Sequence, residues 1–93
     1  MFHSAPRIEG QCKFVSSTDQ SLTFRWPEAQ SATSYELVGH LKSASNTTTN
    51  TITVSDLIPG TLYTFTVWAV GWRQLRSNNI ICNGSTGLSE ITS

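Results

Sequence analysis

The sequence lacks features that mark several large classes of protein. Its six basic and six acidic residues give a formal net charge of zero, so no concentrated positive field is available to attract a phosphate backbone. No apolar run is long enough to cross a bilayer, because the longest candidate, residues 62–70, is interrupted by Thr64 and Thr66. We therefore expect no nucleic-acid partner and no direct membrane insertion.

Helix-forming patterns are also scarce. The chain has thirteen Ser and thirteen Thr but one Met, and no stretch repeats apolar residues at i, i+3, i+4 and i+7 over three turns. The β-branched residues suit a pleated sheet instead. Composition and periodicity together predict an all-β fold, and 93 residues are enough for one two-layer domain.

Patterns typical of catalysis and metal binding are missing as well. The two histidines are His3, close to the start, and His40, at the end of a predicted strand, and neither sits in a local Ser, Cys or Asp constellation. There is no Gly-rich phosphate loop and no paired-carboxylate pattern. The cysteines lack metal-ligand spacing. We expect no enzyme activity, no cofactor and no metal site.

What the sequence does contain is alternation with a period of two. Leu22, Phe24 and Trp26 share one face of a strand that ends at Pro27, which cannot donate to a sheet ladder. In residues 62–70, Tyr and Phe lie on one face and Thr and Trp on the other. Further strands are predicted at residues 8–15, 33–40, 51–57 and 79–85, with a loop at 42–50 and a tight turn at 58–61. About seven strands follow, with a predicted core of Leu22, Phe24, Trp26, Tyr35, Leu37, Leu57, Tyr63, Phe65 and Val67.

These residues resemble the pattern of fibronectin type III domains over nearly the whole chain. Pro6 opens it, Leu-x-Phe-x-Trp ends at Trp26, and the most specific part is Leu57-x-Pro-Gly-Thr-x-Tyr63-x-Phe-x-Val. The resemblance implies a seven-stranded antiparallel, immunoglobulin-like β-sandwich at residues 6–86, with an extension or linker at 1–5 and a linker at 87–93. It also implies that the Tyr63 hydroxyl bonds to the backbone just upstream.

Two cysteines depart from the usual pattern of that family, most members of which have no internal disulfide. The resemblance places Cys12 in the first strand and Cys82 in the last, on the same flank of the sandwich, where a bridge between them is geometrically allowed. Disulfides persist in oxidising compartments. The alternative is a pair of buried, reduced thiols that act as small hydrophobes.

Two sequons favour the same compartment. Asn46-Thr47-Thr48 and Asn83-Gly84-Ser85 both satisfy the acceptor rule for N-glycosylation. Each is weak evidence by itself, because a chain rich in Ser and Thr produces such triplets by chance. We expect Asn46 to lie in a loop, and Asn83 to lie near a strand end, where neighbours can screen it.

The predicted loop at residues 71–77 is one candidate contact site. It contains Trp72, Arg73, Leu75 and Arg76, and Trp and Arg are enriched at binding hot spots. The alternative is structural: Trp72 covers the end of the sandwich, and an arginine stacks on its ring. No Arg-Gly-Asp integrin motif, which this loop carries in some relatives, is present.

The outer face of the sheet formed by the third, sixth and seventh strands is a second candidate. If residues 63, 65 and 67 face inward, Trp68 and Val70 face outward, near Val38 and Ile81. A contiguous apolar surface of this kind often marks a contact site. We expect it to meet a neighbouring module or a protein ligand.

Three functional interpretations remain. The first is an interaction or spacer module of an extracellular, secreted or cell-surface protein, whose partners are a protein ligand or neighbouring modules of the same chain. The second is an intracellular scaffold module with reduced cysteines. The third is an accessory domain of a bacterial carbohydrate-active enzyme, with aromatic rings that stack on sugars. The oxidation state of the cysteines discriminates the first from the second.

Overall fold

The protein folds into two antiparallel β-sheets that pack face to face. A computed structural model describes residues 5–39 and 42–87. The strands are β1 (Lys13–Ser17), β2 (Leu22–Arg25), β3 (Ser34–Gly39), β4 (Lys42–Thr47), β5 (Thr51–Val54), β6 (Leu62–Val70) and β7 (Arg76–Ser85), with a 3₁₀ turn at Trp72–Gln74. One sheet has the order β1-β2-β5 and the other β4-β3-β6-β7. The predicted seven-stranded sandwich is confirmed.

Some sequence-based predictions concern residues that the structure does not describe. His3 and His40 lie outside the described residues, as do the predicted terminal segments 1–5 and 87–93 apart from Ala5 and Gly87. The backbone of Gly87 is bonded to the domain, because its N–H donates to the Thr18 carbonyl and its carbonyl accepts from the Gly60 N–H, both at 2.9 Å.

Alternating side chains place the core between the sheets. All nine residues of the predicted core are buried. Phe24 of β2 and Phe65 of β6 meet edge to face across the two layers, with ring centroids 5.7 Å apart. Burying such rings is the main favourable term in folding a domain of this size.

Two tyrosines use their hydroxyl groups to fix turns. The Tyr63 hydroxyl accepts a hydrogen bond from the Ile58 N–H at 2.9 Å, which confirms the predicted corner. The Tyr35 hydroxyl accepts from the Ala29 N–H at the same distance. Each ring fills the core while its polar end satisfies a backbone donor, so both tyrosines join the core to a neighbouring turn.

The first strand was predicted too early in the chain. It begins at Lys13, not at residue 8, and Gly10 has a φ of 128°. Upstream, the Ile8 N–H donates to Asn78 Oδ1 and the Asn78 side-chain amide donates to the Ile8 carbonyl, both at 3.0 Å. A side-chain amide therefore takes the place of a strand partner at this point.

The prediction of a loop at residues 42–50 was wrong for its first half. Residues 42–47 form β4, in which Asn46 pairs with Glu36 and Thr47 with Tyr35 of β3. β4 is an edge strand, and polar residues are typical of edge strands because they discourage pairing with other chains. Hydrogen bonding to β3 therefore forms a strand that has no apolar alternation, and Asn46 lies in it.

The region where β6 meets β7 also differs from the prediction. β7 begins at Arg76, so the connecting loop is shorter than predicted. Val70, predicted to face outward, is only 4% exposed. Val70 stays in register with β3, opposite Ser34, and the irregularity between β6 and β7 places its extra residue in β7. Val70 is therefore buried although the alternation of β6 is intact, and it lies outside the core cluster between the sheets. Val70 therefore does not belong to an exposed contact surface.

Candidate contact surfaces and the disulfide

A disulfide bond joins the two cysteines of the chain. It connects Cys12, just before β1, to Cys82 in β7, with 5.3 Å between the Cα atoms, within the usual range for such a bond. Cys82 is 1% exposed and belongs to the core, and Cys12 packs against that core. The bond thus ties the entry of one sheet to the edge strand of the other, as the resemblance implied.

The residues Trp72, Arg73, Leu75 and Arg76 lie together at one end of the sandwich, and we call them the end patch. Trp72 is 44% exposed and Leu75 37%. The Arg73 guanidinium lies 4.5 Å from the centroid of the Trp72 ring, close enough for a cation–π interaction. The end patch therefore presents an aromatic side chain with a cation stacked on it, and much of that side chain is still open to solvent.

The backbone beneath the end patch has an uncommon conformation. Arg73 and Gln74 have φ values of 53° and 64°, in the left-handed region that residues other than glycine rarely adopt. Three backbone hydrogen bonds close the turn, including one from the Gly71 N–H to the Leu75 carbonyl at 2.8 Å. These bonds therefore fix the direction in which the Trp72 side chain points. Backbone conformations of this kind are concentrated at functional sites.

Trp68 on the outer sheet face is half-buried and partly covered. Its indole N–H donates to Glu36 Oε1 at 2.7 Å, and the same oxygen accepts from Arg76 Nε at 3.1 Å. The Arg76 guanidinium lies 5.3 Å from the Trp68 ring centroid. Since a sugar needs an open aromatic face, Trp68 gives no support to the carbohydrate-binding interpretation. The sequence did not indicate that Glu36 binds Trp68. It indicated only that Glu36 faces outward beside Tyr35.

A row of residues from three strands lies beside Trp68 on the same outer face. Val38 of β3 pairs with Thr66 of β6, which pairs with Ile81 of β7. Val38 and Ile81 are exposed, as predicted, but Thr66 separates them. The apolar surface here is smaller than the sequence indicated, because Val70 is buried and Trp68 is covered. The end patch is the more prominent of the two candidate contact sites.

Both sequon asparagines are exposed and lie on this same sheet. Asn46 on β4 is the cross-strand neighbour of Glu36. Asn83 on β7 is the neighbour of Thr64, whose hydroxyl donates to Asn83 Oδ1 at 2.9 Å. Cross-strand neighbours share a face, so both asparagines lie on the side of the sheet that carries Trp68.

Two further features bear on the class of protein. Within residues 5–39 and 42–87, no three His, Cys, Asp or Glu side chains gather closely enough to hold a metal ion. In the same part of the chain, no helix has the length and apolar character needed to cross a bilayer.

No curated protein matches the sequence. Solved structures, by contrast, superpose on this fold. The solved structure of FN3tt superposes with a TM-score of 0.77 at 22% identity, over 91% of this chain and 98% of that one. The fn3 domain of human collagen alpha-1(XX) chain gives 0.76 at 23% identity, over 97% of this chain and 90% of that one.

A third similar structure is a larger protein. Chitinase ChiA74 from Bacillus thuringiensis superposes with a TM-score of 0.81 at 24% identity, over 89% of this chain but 14% of the chitinase. At these identities the likeness shows the fold alone. The sequence model described as "Fibronectin type III domain" matches residues 4–82, and the chain therefore belongs to the fibronectin type III domain family.

Proposed function

We propose that this chain is a non-catalytic interaction or spacer module of a larger extracellular, secreted or cell-surface protein. Domains of its family generally act as interaction or spacer modules within multidomain proteins, and they are generally non-catalytic. The observation that carries the extracellular part of the proposal is the Cys12–Cys82 disulfide, because a reducing cytosol would keep both thiols free. The exposure of both sequon asparagines supports it further.

The compartment is tested by the mass of the chain after secretion from a mammalian cell line. We expect no mass gain on thiol alkylation without a reductant, and a gain of two labels after reduction. We also expect glycosidase to lower the mass, with Asn46→Gln and Asn83→Gln variants assigning the glycans. Two labels before reduction and no glycan would instead support the intracellular scaffold.

Contact with a protein partner is assigned to the end patch. Its aromatic side chain is partly open, and its turn is fixed by backbone hydrogen bonds, so little conformational entropy would be lost on binding. Arg73 adds positive charge beside Trp72, whereas Arg76 lies over Trp68 and is bonded to Glu36. We therefore propose Trp72 as the central contact residue.

Trp72→Ala should reduce capture of a partner at least tenfold without a comparable loss of stability. The reason is that Trp truncations at interface centres commonly cost more than 2 kcal/mol in binding. Capture would be measured with the secreted chain immobilised against a panel of extracellular proteins, and stability by urea denaturation of the same samples.

The matched control for that experiment is Leu62→Ala. Leu62 is 66% exposed and begins β6 at the end opposite the patch, so its loss should leave capture unchanged. If Trp72→Ala lowers stability while capture persists, Trp72 is a structural cover for the end of the sandwich.

A further inference from the structure

The disulfide encloses nearly all of the sandwich in a covalent loop. Cys12 and Cys82 are separated by 70 residues in sequence, and of the seven strands only the last three residues of β7 lie outside the segment between them. A pulling force applied at the two ends of the chain would pass through a short length of backbone on each side and would then act on the sulfur–sulfur bond.

We propose that the module is a spacer of fixed length, in which the Cys12–Cys82 bond carries tension past the folded domain. The proposal rests on the proposed function, since only a module joined to neighbours in a longer protein bears load through both ends. Under tension the sandwich inside the loop is shielded, and only the short segments outside the loop can lengthen the module.

The segments outside the loop are held by hydrogen bonds and by the buried side chain of Ile8, which belongs to the core. On the entry side, Ile8 is bonded to the Asn78 side-chain amide at 3.0 Å. On the exit side, Thr86 and Gly87 are bonded to the turns at Thr61 and Gly60. These contacts, and the pairing of the last three residues of β7 with β6, can break one after another under load. Residues 5–11 and 83–87 are then released, which lengthens the chain by at most about 40 Å.

Without the bond, tension would act on the sandwich itself. Once the sheets separated, the residues between Cys12 and Cys82 would extend by about 240 Å beyond the opened ends, at roughly 3.4 Å per residue. The extensible length is thus about 280 Å without the bond and about 40 Å with it, a factor of about seven. Whether Cys12 and Cys82 are joined in a disulfide or reduced to two thiols thus determines whether the module is a spacer of fixed length or an extensible one.

The test is single-molecule extension of the secreted 93-residue chain, attached at both ends through peptide-ligase tags so that no added thiol is present. The untreated chain should lengthen by less than about 50 Å at forces that unfold other β-sandwiches. A Cys12→Ala, Cys82→Ala variant should lengthen by about 240 Å more than the untreated chain. Circular dichroism before tethering would establish that both chains are folded.

A dithiol reductant added under constant force provides a second measurement that needs no variant. One of its thiolates attacks the disulfide to give a mixed disulfide, and its second thiol then closes a ring disulfide. Two electrons pass from the reductant to the protein, and Cys12 and Cys82 are released as two thiols. The untreated chain should then show the step of about 240 Å.

A step of about 240 Å from the untreated secreted chain would overturn the proposal, as would its absence after reduction. If the double alanine variant does not fold, the chain before and after reductant still decides the matter. Failure here is distinguishable from failure of the proposed function, which is judged by alkylation and glycan mass rather than by extension.

Discussion

The free energy of unfolding is expected to fall by roughly 4 kcal/mol when both cysteines are replaced in a Cys12→Ala, Cys82→Ala variant. The cause is mainly the unfolded chain: a crosslink between residues 70 apart in sequence restricts the conformations available to that chain, and its removal restores them. Urea denaturation followed by tryptophan fluorescence would measure the loss. Because domains of this size are stable by only about 5–15 kcal/mol, the variant should be close to unfolding at 37 °C.

Reduction of the unaltered chain is the control for that variant. It removes the crosslink but leaves both side chains in place, so it isolates the loop-closure effect from the packing of the buried Cys82. We expect the reduced chain to lose slightly less stability than the double variant. A loss below about 1 kcal/mol in both would contradict the chain-entropy account and indicate that the unfolded chain is already compact.

The core and the strands that supply it could be predicted from the sequence. Leu22, Phe24 and Phe65 alternate with polar residues, and alternation records directly which face of a strand is buried. The turn before Tyr63 was likewise predictable, since Pro59 and Gly60 carry their own backbone preferences. These features depend on a few neighbouring residues, so the sequence contains the information needed.

Features that depend on how one strand pairs with another could not be predicted. β4 is a strand because β3 provides partners for it, and nothing in its own polar residues indicates this. Val70 keeps its register with Ser34 of β3 and yet is buried, which its place in the alternation does not indicate. An unaided sequence gives neither the partner of a strand nor its register.

The candidate contact surface shows the same division. Trp72 and Arg73 are adjacent in sequence, so the sequence alone was enough to suggest that an arginine stacks on this ring. The group formed by Glu36, Trp68 and Arg76 joins residues from three strands, and only the fold brings them together. This group covers the ring of Trp68. The end patch, with the partly exposed ring of Trp72, is therefore the more prominent contact surface.

Trp26→Ala is expected to lower the free energy of unfolding by about 3 to 5 kcal/mol, because it removes the largest fully buried side chain and leaves a cavity. The indole is 1% exposed and meets Tyr35 edge to face, with 5.4 Å between ring centroids. Urea denaturation at equilibrium would measure the loss. Circular dichroism would establish that the variant is still folded at the start.

Two companion variants show whether burial is the cause. Trp26→Phe should lose less than half as much stability, since it keeps an aromatic ring against Tyr35; among the described residues the Trp26 indole N–H has no hydrogen-bond partner, so no such bond is lost. Trp72→Ala should change stability by less than about 1 kcal/mol, the magnitude of an exposed cation–π pair. Equal losses at positions 26 and 72 would contradict the orientation of β2, because only a side chain packed between the sheets leaves a cavity when it is removed.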